Sequence, residues 1–119
     1  MTSPPFALFI AGRWLSQGSG GTRSVIDPAD ESVIGELPLA GPAELQQAAD
    51  SAARGIALWR SRSPLERAAV LRRAAELMHE RADGMAQTLT REQGKPLAEA
   101  LREVRLSADI IDFQAEEAR

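Results

Sequence analysis

There is no cysteine in this chain of 119 residues. Disulfides, thiolate metal sites and cysteine nucleophiles are therefore excluded within it. Lysine is almost as scarce, with Lys95 the only one, and arginine supplies the rest of the 14 basic side chains. That skew fits genome composition better than a nucleic-acid surface, because 17 acidic residues leave a net charge of only −3. A charge that small implies neither an acidic nor a basic partner. His79 is the single histidine, so no pair of imidazoles stands at ligand spacing, and it is expected at the surface. No apolar run approaches the ~18 residues of a membrane span. The start, Met1-Thr2-Ser3-Pro4-Pro5-Phe6, lacks the basic stretch of a secretory leader. The expectation is a cytoplasmic protein that binds neither nucleic acid nor membrane.

What is present suits a folded domain. Apolar residues make up 44% and charged residues 26%, a globular balance at single-domain length. The pattern predicts an α+β piece, with strands over residues 1–40 and helices over 41–119. Phe6–Leu15 reads as a short hairpin around Ala11-Gly12, with Trp14 as a packing residue. Alanine resists the positive φ of a type I′ turn, which leaves the turn type open. Gly18-Ser19-Gly20-Gly21 invites comparison with a phosphate cradle. Such a cradle opens directly into a helix, whereas Thr22–Asp27 reads as a strand, so a flexible loop is expected. Asp27-Pro28-Ala29-Asp30-Glu31 is a turn in which Asp27 bonds backbone ahead of it, and a strand follows over Ser32–Pro38.

Helix signals then dominate. Gly41-Pro42-Ala43-Glu44 opens a first helix with an apolar stripe of Leu45, Ala48, Ala49, Ala52, Ile56 and Trp59. Its alanines would let another element approach closely. Ser63-Pro64-Leu65-Glu66 is a capping box. It starts a second helix with Leu65, Ala68, Leu71, Ala75, Met78 and Ala82 on one face. Arg60, Arg62, Arg67, Arg72 and Arg73 alternate with Glu66, Glu76 and Glu80, which predicts a solvated, ion-paired face. Helix is expected to continue to Gln93 with a kink near Asp83-Gly84. Gly94 suits a left-handed stop, and Pro96 suits the first turn of a new helix with Glu99 at its positive end. Leu97, Leu101, Val104, Ala108, Ile111, Ala115 and Ala118 then repeat at alternating spacings of four and three, the pattern of a helix lying along another. No stop signal closes this last helix, which reads as a truncated pattern.

Glu92-Gln93-Gly94-Lys95-Pro96-Leu97-Ala98-Glu99-Ala100, followed by Glu103-Val104, resembles a segment from the first quarter of NAD(P)-dependent aldehyde dehydrogenases. Among these it is most similar to the bacterial succinate-semialdehyde dehydrogenases. Phe9-Ile10-Ala11-Gly12-Arg13-Trp14 resembles the family's Ile-Asn-Gly-Glu-Trp, and Asp27-Pro28 its Asn-Pro turn. Trp59 and Glu66-Arg67 also fall in family order.

The resemblance implies an α/β parent several times longer, a homo-oligomer that oxidises an aldehyde to an acid with NAD or NADP. In that chemistry a cysteine thiolate attacks the carbonyl, hydride leaves to the dinucleotide and a glutamate activates water. No catalytic or cofactor-binding residue carries over to this chain, which is expected to be inactive alone and to hold no dinucleotide tightly. The helical segment would pack on the cofactor domain, so its first partner is the remainder of its own chain. Many members also bind a monovalent cation through two carbonyls before the Asn-Pro turn and the carboxylate before Gly-Lys-Pro. The matching positions are Val25, Ile26 and Glu92; pairing of Glu92 with Arg91, Lys95 or a helix end is the alternative. A second overall reading is a non-enzymatic helical module that self-associates through helix 96–118.

Overall fold

The computed structural model describes residues 6–118. Four short strands precede four helices, so the α+β expectation holds. The chain divides into two compact units, Met1–Leu58 and Trp59–Arg119.

The first unit holds two antiparallel hairpins. Strands β1 (Leu8–Ile10) and β2 (Arg13–Leu15) pair Leu8 with Leu15 and Phe9 with Trp14. The rings of Phe9 and Trp14 lie 4.6 Å apart at 47°, a tilted aromatic pair across the strands. Between them Ala11 and Gly12 have φ of 52° and 77°. Both central residues are thus left-handed, as a type I′ turn requires. The two-residue loop overrides the preference of alanine, at a cost of about 1 kcal/mol.

Strands β3 (Thr22–Ile26) and β4 (Val33–Pro38) form the second hairpin, with a register shift between Val25 and Ile26. The Asp27 carboxylate accepts the Ala29 N–H at 2.9 Å, and Asp30 accepts that of Ser32 at 2.9 Å. These bonds fold the connecting turn as its sequence predicts. Helix α1 (Pro42–Ser61) follows, and none of its residues is buried. The stripe expected to receive a close neighbour stays open: Leu45 is 60% and Ile56 56% exposed.

The second unit contains α2 (Pro64–Glu80), α3 (Ala82–Gln93) and α4 (Leu97–Glu117). Ser63 and Glu66 form both halves of the capping box. The break before α3 falls at Arg81, with φ −108° and ψ 10°, rather than near Asp83-Gly84. Gly84 lies inside the helix. Gly94 ends α3 at φ 71°, its N–H donating to the Thr90 carbonyl at 2.8 Å. Pro96 is the N-cap of α4 rather than its first helical residue. Its carbonyl accepts the N–H groups of Glu99 and Ala100 at 2.9 and 3.0 Å.

Helix α4 packs along both α2 and α3. The buried residues of this unit are Ala68, Ala75, Ala82, Ala86, Ala100, Val104, Ala108 and Ala115, and all but one are alanine; in the first unit Pro38 and Gly41 are buried. The core is a seam of small side chains that lets helix axes come close. The predicted α4 stripe is correct over Val104, Ala108 and Ala115. Its first member, Leu97, is 50% exposed, and Ala100 takes the seam position. Polar pairs mark the register of α2 on α4. Arg72 meets Glu116 at 2.6 Å and His79 Nε2 meets Asp109 at 3.3 Å. The order reverses along the two helices, so they run antiparallel. Exposed pairs of this kind contribute about 0–1 kcal/mol; the alanine seam is what holds the helices.

A seam of alanines has no room for a branched side chain. Ala108→Leu should destabilise the chain by about 1–3 kcal/mol through overpacking, read as a lower urea midpoint.

Candidate functional site

In the first unit the functional question is the glycine-rich run. Ser19 Oγ donates to Glu44 Oε2 at 2.6 Å, and the Ser19 N–H donates to Oε1 at 3.3 Å. The Gly41 N–H, at the start of α1, donates to the same Oε2 at 2.8 Å. Gly20 and Leu39 complete the tie, with Gly20 N–H donating to the Leu39 carbonyl at 3.0 Å and Leu39 N–H to Gly21 at 2.9 Å. The run is a loop, as expected, yet an anchored one. Its donors and the helix N-terminus already hold an anion, the chain's own carboxylate. Gly41 is required by this closeness, since a Cβ there would lie 2.2 Å from Ser19 Oγ.

In this loop the donors that a phosphate would use are taken by Glu44.

The hydroxyl of Ser19, then the Gly41 backbone, hold the Glu44 carboxyl below its ordinary range. In the second unit Ser63 does the same for Glu66, through its hydroxyl and then its N–H. Arg73 is held above its usual range by the hydrogen bonds it donates to Glu76 and Glu80, at 2.9 and 3.2 Å. Of the expected ion-paired face, Arg73 pairs with Glu76 and Glu80, whereas Arg72 reaches Glu116 of α4 and Arg67 donates to the Arg62 carbonyl.

The predicted cation ligands are distributed between the units. Val25, half-buried, and Ile26, exposed, stand at the end of β3 beside the register shift. Glu92 lies in the last turn of α3 and is exposed. It borders a groove of about 260 Å³ between α3 and α4, lined also by Met85, Thr88, Leu89 and Val104. Its carboxylate has no ion-pair or hydrogen-bond partner among the described residues. Lys95 turns instead to Glu103 of α4 and clamps the Gly94 corner. Among the described residues no three His, Cys, Asp or Glu side chains gather at metal distance.

His79 is paired with Asp109 on the surface. No hydroxyl or thiol hydrogen-bonds to the imidazole among the described residues, so a nucleophile–base arrangement is missing. The Thr90 hydroxyl is buried without a partner among the described residues, and nothing in the structure explains it.

Sequence reasoning missed the Ser19–Glu44 contact, since 25 residues separate the pair and no local motif links them.

Among the described residues no nucleophile stands in hydrogen-bond reach of the histidine base. Comparison with known proteins identifies the fold. The sequence matches the aldehyde dehydrogenase family over residues 14–119. The chain belongs to that family. It is 44% identical over 111 residues to the glutarate-semialdehyde dehydrogenase of Pseudomonas putida, covering 93% of this chain and 23% of the relative. It is 40% identical over 110 residues to the NADP(+) succinate-semialdehyde dehydrogenase of Escherichia coli, covering 92% and 23%. The crystal structure of succinate-semialdehyde dehydrogenase from Burkholderia pseudomallei superposes with a TM-score of 0.90 at 40% identity, over 98% of this chain and 25% of that one. An NAD-dependent benzaldehyde dehydrogenase from Corynebacterium glutamicum gives 0.90 at 29% identity, over 98% and 26%. This aldehyde dehydrogenase chain therefore spans about a quarter of the length of the relatives it matches. No helix among its described residues is long and apolar enough to cross a membrane.

The Glu44 carboxyl supplies a pH test. Its pKa is lower folded than unfolded, so its stabilisation is present above the ordinary carboxylate range. That stabilisation is lost as pH falls through the depressed value. Wild type should melt above Glu44→Gln at neutral pH, and the two melting midpoints should converge on acidification.

Proposed function

We propose that this chain is the N-terminal segment of an NAD(P)-dependent aldehyde dehydrogenase that oxidises a semialdehyde bearing a distal carboxylate. Succinate and glutarate semialdehydes are the candidate substrates. The observation that carries this is the match of nearly the whole chain, in sequence and in fold, to one quarter of enzymes named for those substrates. The absence of cysteine and of a dinucleotide cradle supports a scaffold role. The nucleophile, the general base and the cofactor groove would come from outside these residues, and the chain alone would not oxidise aldehydes. A cytoplasmic homo-oligomer is the parent state proposed.

The cation site at Val25, Ile26 and Glu92 belongs to the same reading. Two features support it. A register shift interrupts the ladder at Val25/Ile26, where carbonyls turn out of pairing, and the Glu92 carboxylate is unengaged among the described residues. Oxygen ligands of this kind suit a hard cation.

A second reading, a module that self-associates through α4, draws on the exposure of Leu106, Ile110 and Phe113. It requires the purified chain to dimerise.

A chimera tests the first reading. This chain replaces the matched segment of the Pseudomonas putida glutarate-semialdehyde dehydrogenase. The chimera should oxidise glutarate semialdehyde, and the 119 residues alone should not; an inactive, unfolded chimera would remove the proposal. In the active chimera, melting should be higher in sodium than in lithium chloride, and Glu92→Ala should abolish the difference. Equal melting in both salts would count against the cation site.

A further inference from the structure

Glu92 stands where helix electrostatics leave a carboxylate uncovered. It lies in the last turn of α3, where orphan carbonyls give the helix end a partial negative charge. A cation there would relieve both charges. Two basic side chains flank Glu92 in sequence, Arg91 and Lys95. Neither forms an ion pair with it among the described residues. Arg91 is its immediate neighbour, and adjacent residues on a helix do not face one another. The other residues lining its groove are Met85, Thr88, Leu89 and Val104, none of them basic.

Lys95 is the rival that matters. Three trans peptides separate its Cα from that of Glu92, a span of at most about 11 Å. Two long side chains can close that distance. The ammonium instead reaches Glu103 of α4, with the two side chains 28% and 49% exposed. Glu92, Glu99 and Glu103 are the three carboxylates around this corner. Glu99 lies in the first turn of α4, whose positive end holds the carboxylate and opposes an approaching ammonium. Glu103 lies a turn further on, where that field has fallen away. Glu92 has the reverse bias, because the end of α3 attracts cations. With Glu103 removed, the next seat for the Lys95 ammonium is therefore Glu92.

We propose that Glu103 is a positioning residue for a cation at Glu92. By holding Lys95 on α4 it keeps the chain's own ammonium off that carboxylate and leaves it to a monovalent metal ion. This rests on the reading of Val25, Ile26 and Glu92 as cation ligands. An ammonium is a compact point charge, so it competes with a metal ion of the same charge. A group on a short flexible tether acts at an effective concentration on the order of millimolar. An unrestrained Lys95 would thus compete with millimolar sodium. Lys95 is the only lysine of the chain, so one substitution removes the rival.

The test reads the sodium dependence of melting in the chimera with the Pseudomonas putida enzyme. Sodium chloride replaces lithium chloride stepwise at constant total chloride. A ligand that binds the folded state alone raises the midpoint with its concentration. The parent is compared with Glu103→Gln, with Lys95→Met and with both substitutions together, each checked for folding by circular dichroism. Loss of the corner clamp lowers the midpoint in both salts alike, so the difference between salts is the quantity read. Glu103→Gln should raise the sodium needed for half the effect several-fold. Lys95→Met should leave it at the parental value. The double variant should return to that value, since no ammonium remains to compete; a merely structural role of Glu103 gives no such rescue. A parental sodium response in Glu103→Gln would overturn the proposal while leaving the cation site standing. A double variant as impaired as Glu103→Gln alone would do the same. Equal melting of the parent in both salts would remove the cation site, and the proposal with it.

Discussion

Close approach of α2 and α4 through alanine is the constraint on which the second unit depends. Two helices lined with leucine would hold each other more strongly per residue, since each buried methylene contributes about 0.8 kcal/mol. Alanine gives up that strength for proximity. Short interaxial distance lets Arg72 reach Glu116 and His79 reach Asp109 from flanking positions. It also brings Lys95 of the corner within reach of Glu103 on the next helix. The polar contacts follow from the seam and would not form without it.

The first unit solves a different problem with one carboxylate. Glu44 joins the start of α1 to a loop 25 residues earlier. Three donors from two segments converge on it. A run that looks ready for a phosphate is thereby given a structural use.

Legibility in the sequence followed the range of each interaction. The Ser63–Glu66 box and the Gly94 corner rest on chemistry between residues three or four apart, and both appear where the pattern places them. The Asp27 turn is equally local. Ala11 shows a local preference losing to hairpin length. The break at Arg81 carries no glycine or proline at the break itself, so it has no marker; Gly84 drew the expected kink to a place where the helix is intact. The α1 stripe was read correctly as apolar, but periodicity does not say whether a partner stands opposite. The same limit hid the second apolar face of α4, at Leu106, Ile110 and Phe113. Its residues are plain in the sequence, yet the longer seam repeat accounted for the helix already. Of the candidate cation ligands, Glu92 has a side chain to notice. Val25 and Ile26 would act through backbone carbonyls, which every residue has, so only a family resemblance singles them out.

The seam also has a bearing on synthesis. Helix α2 packs chiefly on α4 and only slightly on α3, so Ala75 waits for Ala108 and Ala115 to leave the ribosome. The 40 residues between Ala75 and Ala115 represent a delay of roughly two to eight seconds at common elongation rates. A leucine-lined helix would spend that interval offering a sticky surface to other nascent chains. The alanines of the seam add little to the sticky surface that α2 offers in that interval.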